Sequence, residues 1–176
     1  MNKRTRYWVR RILLLLMASM VAFALYQTLN DEKDTGPQQG QPAPNFKLET
    51  LDGDSLELSD LQGKAVLINF WATWCKPCRT EMPDIQKVYE QYRDEGFEVV
   101  AVNIAENPVS VKGFARQLEL DFPIVLDRDR KVTKQYNIGP LPTSLFIAKD
   151  GKVVRKQTGQ MSEKQIEGYV REALSK

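Results

Sequence analysis

Cys75 and Cys78 are the only two cysteines in a chain of 176 residues that contains no histidine. Set as Cys75-Lys76-Pro77-Cys78, they suit reversible thiol–disulfide exchange. Two intervening residues bring the sulfurs within bonding reach, and Pro77 fixes a helical φ just before Cys78. The preceding run, Val66-Leu67-Ile68-Asn69-Phe70-Trp71, is almost continuously apolar and of strand length, the pattern of a buried central strand. Arg79 to Glu95 has helical features, so the pair falls at a strand-to-helix turn. A helix N-terminus offers unpaired N–H groups and a partial positive charge, which favour a thiolate over its thiol. Cys75 is the expected nucleophile, and Cys78 the thiol that resolves the mixed disulfide.

The same spacing serves other chemistries. A C-x-x-C is half a zinc site or, with a following histidine, a haem attachment site. Residue 79 is arginine, which excludes haem attachment, and a zinc ion would need ligands from another chain. A permanently closed structural disulfide suits an oxidising compartment but does not call for the Trp74-Cys75-x-Pro77-Cys78 context. No metal and no bound cofactor are expected.

The elements that position the pair follow from length and patterning. The chain is long enough for one domain with a substantial core plus an appendage. Lys3, Arg4, Arg6, Arg10 and Arg11 precede an apolar run from Ile12 to Tyr26, and the first acidic residue is Asp31. This reads as a cytoplasmic basic segment, 1–11, and a signal-anchor helix, 12–29, that holds the domain on the extracytoplasmic side of the cell membrane. The run of 15 residues covers only about 22 Å of a ~30 Å hydrocarbon core. Ala22-Phe23-Ala24 resembles a signal-peptidase site, so cleavage after Ala24 is the alternative. Trp8 and Tyr26 at the two interfaces, with Leu25 and Leu29 beyond, favour retention. The net charge of +2 belongs to this segment: without its five cations, 20 basic residues face 23 acidic ones. No basic nucleic-acid footprint remains, and no nucleic-acid partner is expected.

Residues 30–41 are polar and read as a linker. A hairpin follows, Phe46 to Glu49 and Ser55 to Leu58, turned at Asp52-Gly53. After the central strand, Met82, Ile85, Val88, Tyr89 and Tyr92 mark an amphipathic helix, kinked at Pro83 and ended by Gly96. Glu98 to Ile104 is a second apolar strand, parallel to the first. Asn107-Pro108 caps a helix to about Leu118, Pro123 to Leu126 is a short strand, and Asp129 caps a short helix. Strands Ser144 to Ala148 and Val153 to Thr158 form a hairpin, and Ser162 with Gln165 makes the capping box of a last helix. The order β-α-β, insert, β-β-α is that of a thioredoxin-like α/β fold over 36–176, a central mixed sheet flanked by helices, with an N-terminal hairpin and a helix-strand insert.

Trp71 through Cys78 resembles the active-site motif of extracytoplasmic thioredoxin-like proteins, and Leu141-Pro142-Thr143 resembles their cis-proline loop. The N-terminal anchor, Ala43-Pro44-Asn45-Phe46, Glu81 and Val102-Asn103-Ile104-Ala105-Glu106 narrow the likeness to the ResA/TlpA group of membrane-anchored thiol-disulfide oxidoreductases. The resemblance implies a reductase for the C-x-x-C haem-binding site of apocytochrome c, itself re-reduced by a CcdA-type membrane electron donor. General oxidoreductase or isomerase activity, and a non-enzymatic assembly factor, are the alternatives. It implies that Leu141, placed by a cis Pro142, receives an extended substrate segment. Trp74, Lys76, Pro77 and Thr143 would shape or tune the site. Lys76 departs from the acidic residue that relatives often carry there. Glu81, one helical turn past Cys78, would oppose thiolate formation by its charge, and Glu106 would act similarly. The alternative for Glu81 is a solvated helix face, and Phe70 is expected in the core.

Overall fold

The structure, a computed structural model, describes the backbone of residues 3–30 and 36–176; in the first stretch, side chains are described at 6–23 and at 25. The chain divides into two units, 1–35 and 36–176. The first holds helix α1, Lys3–Asn30. Rich in leucine, methionine and alanine and free of glycine and proline, its sequence favours a helix. Its described apolar side chains, Trp8 and Ile12 to Phe23 among them, are exposed. Among the described residues, no helix is long and apolar enough to cross a membrane. Side chains at the far end of the expected anchor, those of Ala24, Tyr26 and Leu29 among them, lie outside what the structure describes, as do residues 31–35 of the expected linker.

In the second unit, residues 36–41 are not free linker. Pro37 is buried, the Gly40 N–H donates to the Val153 carbonyl at 2.7 Å, and the Val153 N–H donates to the Gln41 carbonyl at 2.9 Å. Gly36, with φ +62°, lies so close to Tyr136 that a Cβ would stand 2.1 Å from its carbonyl oxygen. Any side chain there must displace backbone.

Beyond lie strand β1 (Lys47–Thr50), β2 (Ser55–Glu57), a 3-10 turn, β3 (Ala65–Trp71), helix α2 (Lys76–Tyr92), β4 (Phe97–Ile104) and α3 (Pro108–Gln117). The chain closes with β5 (Ile124–Asp127), α4 (Lys131–Gln135), β6 (Thr143–Ile147), β7 (Val153–Thr158) and α5 (Glu163–Leu174). The seven strands form one sheet in the order β2-β1-β5-β4-β3-β6-β7. Strands β3, β4 and β5 are parallel, and β1, β6 and β7 join antiparallel to their inner neighbours. This is the expected thioredoxin-like α/β fold.

All seven residues of β3 are buried, as its apolar run requires of a strand covered on both faces. Its alternation divides the core. Leu67 and Trp71 join Met82, Ile85, Val88, Phe114, Ile166 and Val170 on the side of α2, α3 and α5. Ile68 and Phe70 join Phe46, Val132 and Tyr136 on the other. Phe70 is thus core, as expected.

Two local details depart from expectation. Helix α2 begins at Lys76, which puts Cys78 in its first turn, and it continues through Pro83 to Tyr92. The head of α4 is held mainly by Asp127 rather than by Asp129. Arg130, with φ 60°, turns the chain left-handed, and this reversal aims the first N–H groups of α4 back at the end of β5. The buried Asp127 carboxylate accepts from Val132 N–H at 3.2 Å, Thr133 N–H at 2.7 Å and the Thr133 hydroxyl at 2.5 Å. Asp129 accepts from one backbone group of the helix, Lys131 N–H at 3.2 Å, and pairs with Lys131 Nζ at 2.6 Å.

Candidate active site

Strand β3 ends at Trp71, whose buried ring packs at 5.0 Å from that of Phe114. This fixes the start of the loop 72–75. Cys75 is the N-cap of α2, and its sulfur accepts from the Cys78 N–H at 3.3 Å. The two cysteines form a disulfide with 5.3 Å between Cα atoms, so the described state is oxidised. Cys75 lines a cleft of about 400 Å³ together with Trp74, Lys76, Pro77, Ile138, Pro140 and Leu141. Cys78 is 1% exposed and lies behind it. An incoming group therefore meets Cys75 first.

The far wall is the loop before β6. The Leu141–Pro142 peptide bond is cis, and Pro142 is buried with its carbonyl accepting from Gly159 N–H at 2.8 Å. The Thr143 hydroxyl donates to the Pro140 carbonyl at 2.7 Å, which closes the loop on itself. Thr143 thus acts inside the loop, not on the cleft surface. Leu141 lines the cleft, and its backbone N–H and C=O have no backbone partner among the described residues. They are available to an extended peptide. Trp74 is 71% exposed, an unusual state for so large an aromatic ring and suited to contact with a partner. Lys76 and Pro77 are exposed on the same rim.

Glu81 is not on a solvated helix face: it is 1% exposed. One turn beyond Cys78 on α2, its carboxylate accepts from Asn69 Nδ2 at 3.0 Å and from Met161 N–H at 2.7 Å. Burial pushes its pKa up to about 7, against the pull of the Met161 and Asn69 hydrogen bonds. The expected opposition to the Cys75 thiolate therefore depends on pH, since Glu81 carries its charge fully only above that value.

Glu106 holds the loop rather than the sulfurs. Its carboxylate accepts from Thr73 N–H at 2.7 Å, the Thr73 hydroxyl at 2.5 Å and Asn103 Nδ2 at 2.7 Å. It ties the end of β4 to the residue two before Cys75. Glu106→Ala leaves these donors without their acceptor and should cost about 2–3 kcal/mol, read as a lower urea midpoint in the oxidised protein. An unchanged midpoint would remove Glu106 from the support of the loop.

Sequence reading missed Asn69, Ser144, Met161 and Arg130. Asn69 donates to Ser144 Oγ at 2.9 Å as well as to Glu81, and its Oδ1 has no partner among the described residues. The signal was present: Asn69 is the one polar residue in the apolar run of β3. Met161 reaches the carboxylate only through the turn before α5, and Ser144 reaches Asn69 only through β6. Arg130 lines the cleft only because α4 folds over β5.

A pair of cysteines closed as a disulfide at the head of a helix, facing a cis-proline loop on a thioredoxin-like sheet, defines a thiol-disulfide oxidoreductase. The redoxin family model matches residues 38–172. ResA, the thiol-disulfide oxidoreductase of Bacillus anthracis, is 43% identical over 169 residues, 96% of this chain and 97% of its own. ResA of Bacillus subtilis (strain 168) is 40% identical, covering 97% and 94%. Among solved structures, a thioredoxin-family thiol:disulfide interchange protein of Chlorobium tepidum TLS superposes with a TM-score of 0.71 at 31% identity, over 76% of this chain and 95% of that one. StoA of Bacillus subtilis does so with a TM-score of 0.64 at 29% identity, over 72% and 96%. The chain belongs to the redoxin family, in its ResA group. It is an enzyme, a protein-disulfide reductase.

Proposed function

We propose that this reductase opens the disulfide of the C-x-x-C haem-binding site of an apocytochrome c during c-type cytochrome maturation. The observation that carries this reading is the placement of Cys75, at the head of α2 and on the wall of a cleft bounded by the unpaired Leu141 backbone. The motif resemblance to the ResA/TlpA group supports this choice of substrate.

The reaction starts from the reduced protein. Cys75, as thiolate, attacks one sulfur of the substrate disulfide; a Cys75–substrate disulfide forms, and the other substrate sulfur leaves as a thiolate. Cys78 then gives up its proton and attacks the Cys75 sulfur. The Cys75–Cys78 bond closes and the second substrate thiolate leaves, so two electrons have passed from the protein dithiol to the substrate. Glu81, with a pKa of about 7 and one helical turn from Cys78, is poised to take up or release a proton in the range where the thiols titrate. Trp74 and Leu141 receive the substrate segment, and Pro77 and Thr143 hold the turns that face it. No bound cofactor enters any of these steps.

A CcdA-type membrane thiol transporter returns the electrons, and the N-terminal segment 1–29 holds the domain to the cell membrane on its extracytoplasmic side. The run of apolar residues behind five cations supports this anchoring. In the source organism, loss of the gene should sharply reduce covalent haem in c-type cytochromes by haem staining. The native gene restores it and Cys75→Ala does not; normal haem staining in the deletion strain would contradict the assignment. The native protein should be recovered with membranes at the full intact mass. A mature form beginning at Leu25 would overturn the anchor.

A further inference from the structure

The cleft beside Cys75 has a charge character that the chain as a whole lacks. Lys76, in the first turn of α2, and Arg130, at the head of α4, both line it, and no carboxylate does. Both are exposed, and among the described residues neither forms an ion pair. The carboxylates that the chain places near the motif are already committed: Glu81 is buried against Asn69 and Met161, and Glu106 is bonded to Thr73 and Asn103. Beyond the first eleven residues the chain has more acidic than basic residues, so two unpaired cations beside the redox-active cysteine are a local feature.

Arg130 is held in place by its backbone. Its N–H donates to the Asp127 carbonyl at 3.2 Å, and its own carbonyl accepts from Lys134 N–H at 3.0 Å. The Asp127 carboxylate fixes the next turn through Val132 and Thr133. The cation thus projects from a fixed left-handed corner, not from a loose loop.

We propose that the cleft selects an extended, disulfide-bearing polypeptide whose cysteine is flanked by aspartate or glutamate, with Lys76 and Arg130 as the residues that confer this preference. The inference rests on the reductase reading. The Leu141 backbone supplies sequence-independent hydrogen bonds and Trp74 supplies apolar contact, so charge is the property left to discriminate among substrates. Exposed charges act chiefly on encounter rate and orientation, and salt weakens them. The preference therefore resides in the second-order rate constant.

The test uses the reduced protein and two peptides with the same C-x-x-C disulfide, one flanked by glutamates and one by lysines. Each rate is divided by that of the same peptide with mercaptoethanol, which removes the effect of the flanks on the leaving thiol. The normalised rate should be about tenfold higher for the acidic peptide at low salt and should converge on that of the basic peptide at about 0.5 M salt. Arg130→Asp keeps a residue that tolerates the left-handed backbone and does not touch Cys75; it should lower the ratio severalfold. Adding Lys76→Glu should bring the ratio to one or below. Equal normalised rates, or a ratio that Arg130→Asp leaves unmoved, overturn the selectivity while leaving the reductase intact. If neither peptide oxidises the protein, the reductase reading falls and this inference with it.

Discussion

Cys75→Ser should abolish catalysed disulfide reduction, a fall of at least about 10³-fold, whereas Cys78→Ala should stop the reaction halfway. The difference follows from position. Cys75 caps α2 and lines the cleft, while Cys78 is buried behind it and bonded to the Cys75 sulfur. Without Cys78 the first exchange still occurs, but nothing displaces the substrate, so a Cys75-linked mixed disulfide accumulates. Non-reducing electrophoresis and mass spectrometry of the two variants, each mixed with an oxidised C-x-x-C peptide, distinguish them. If Cys75→Ser traps the peptide and Cys78→Ala does not, the roles are reversed.

Glu81→Gln should stabilise the oxidised protein in alkaline solution by about 2–3 kcal/mol and have little effect in acid. In the unfolded chain a glutamate titrates near 4.5; in the fold Glu81 titrates near 7 because it is buried. Below 4.5 both states hold the proton, and ionisation costs nothing. Between 4.5 and 7 the unfolded chain releases it first, so stability falls as pH rises. Above 7 the full penalty is present, about 3 kcal/mol for a shift of this size. Glutamine removes that penalty, and the Asn69 carboxamide can turn its unpartnered Oδ1 toward the new amide. Urea unfolding of both proteins from about pH 5 to pH 8 measures the gap. A gap that does not widen with pH would show that Glu81 is not the titrating group. In the reduced protein the same change should lower the Cys75 thiol pKa by removing the opposing charge, and it should slow the apocytochrome peptide more than Ellman's reagent.

The sequence carried the parts of the fold that depend on near neighbours. The apolar run of β3, Asn107 capping α3 by accepting from Val109 N–H at 2.8 Å, and Gln165 accepting from Ser162 N–H at 3.0 Å are all local patterns. The cysteine pair is local too, and so is its place at the head of a helix. What the sequence did not show is what the sheet assembles from distant strands. Asn69 and Met161 meet Glu81 from β3 and the turn before α5, Ser144 of β6 holds Asn69, and the packing that brings them together buries a helix-face glutamate, which raises its pKa. The cap of α4 misled for a related reason. Local rules point to the nearest aspartate, Asp129, but the left-handed turn at Arg130 brings Asp127 onto the first N–H groups and sets Arg130 on the cleft. Glu106 likewise looks like a second charge for the cysteines until its bonds to Thr73 show it to be a brace.

The proposed electron flow runs from Cys75 and Cys78 to the C-x-x-C disulfide of an apocytochrome c. Its most direct measurement mixes equal amounts of the reduced protein and an oxidised apocytochrome peptide, lets them equilibrate, and traps all thiols with acid and an alkylating agent for mass spectrometry. Most of the protein should carry the Cys75–Cys78 disulfide and most of the peptide should be reduced. A protein that stays reduced beside an oxidised peptide would show that electrons do not flow in this direction.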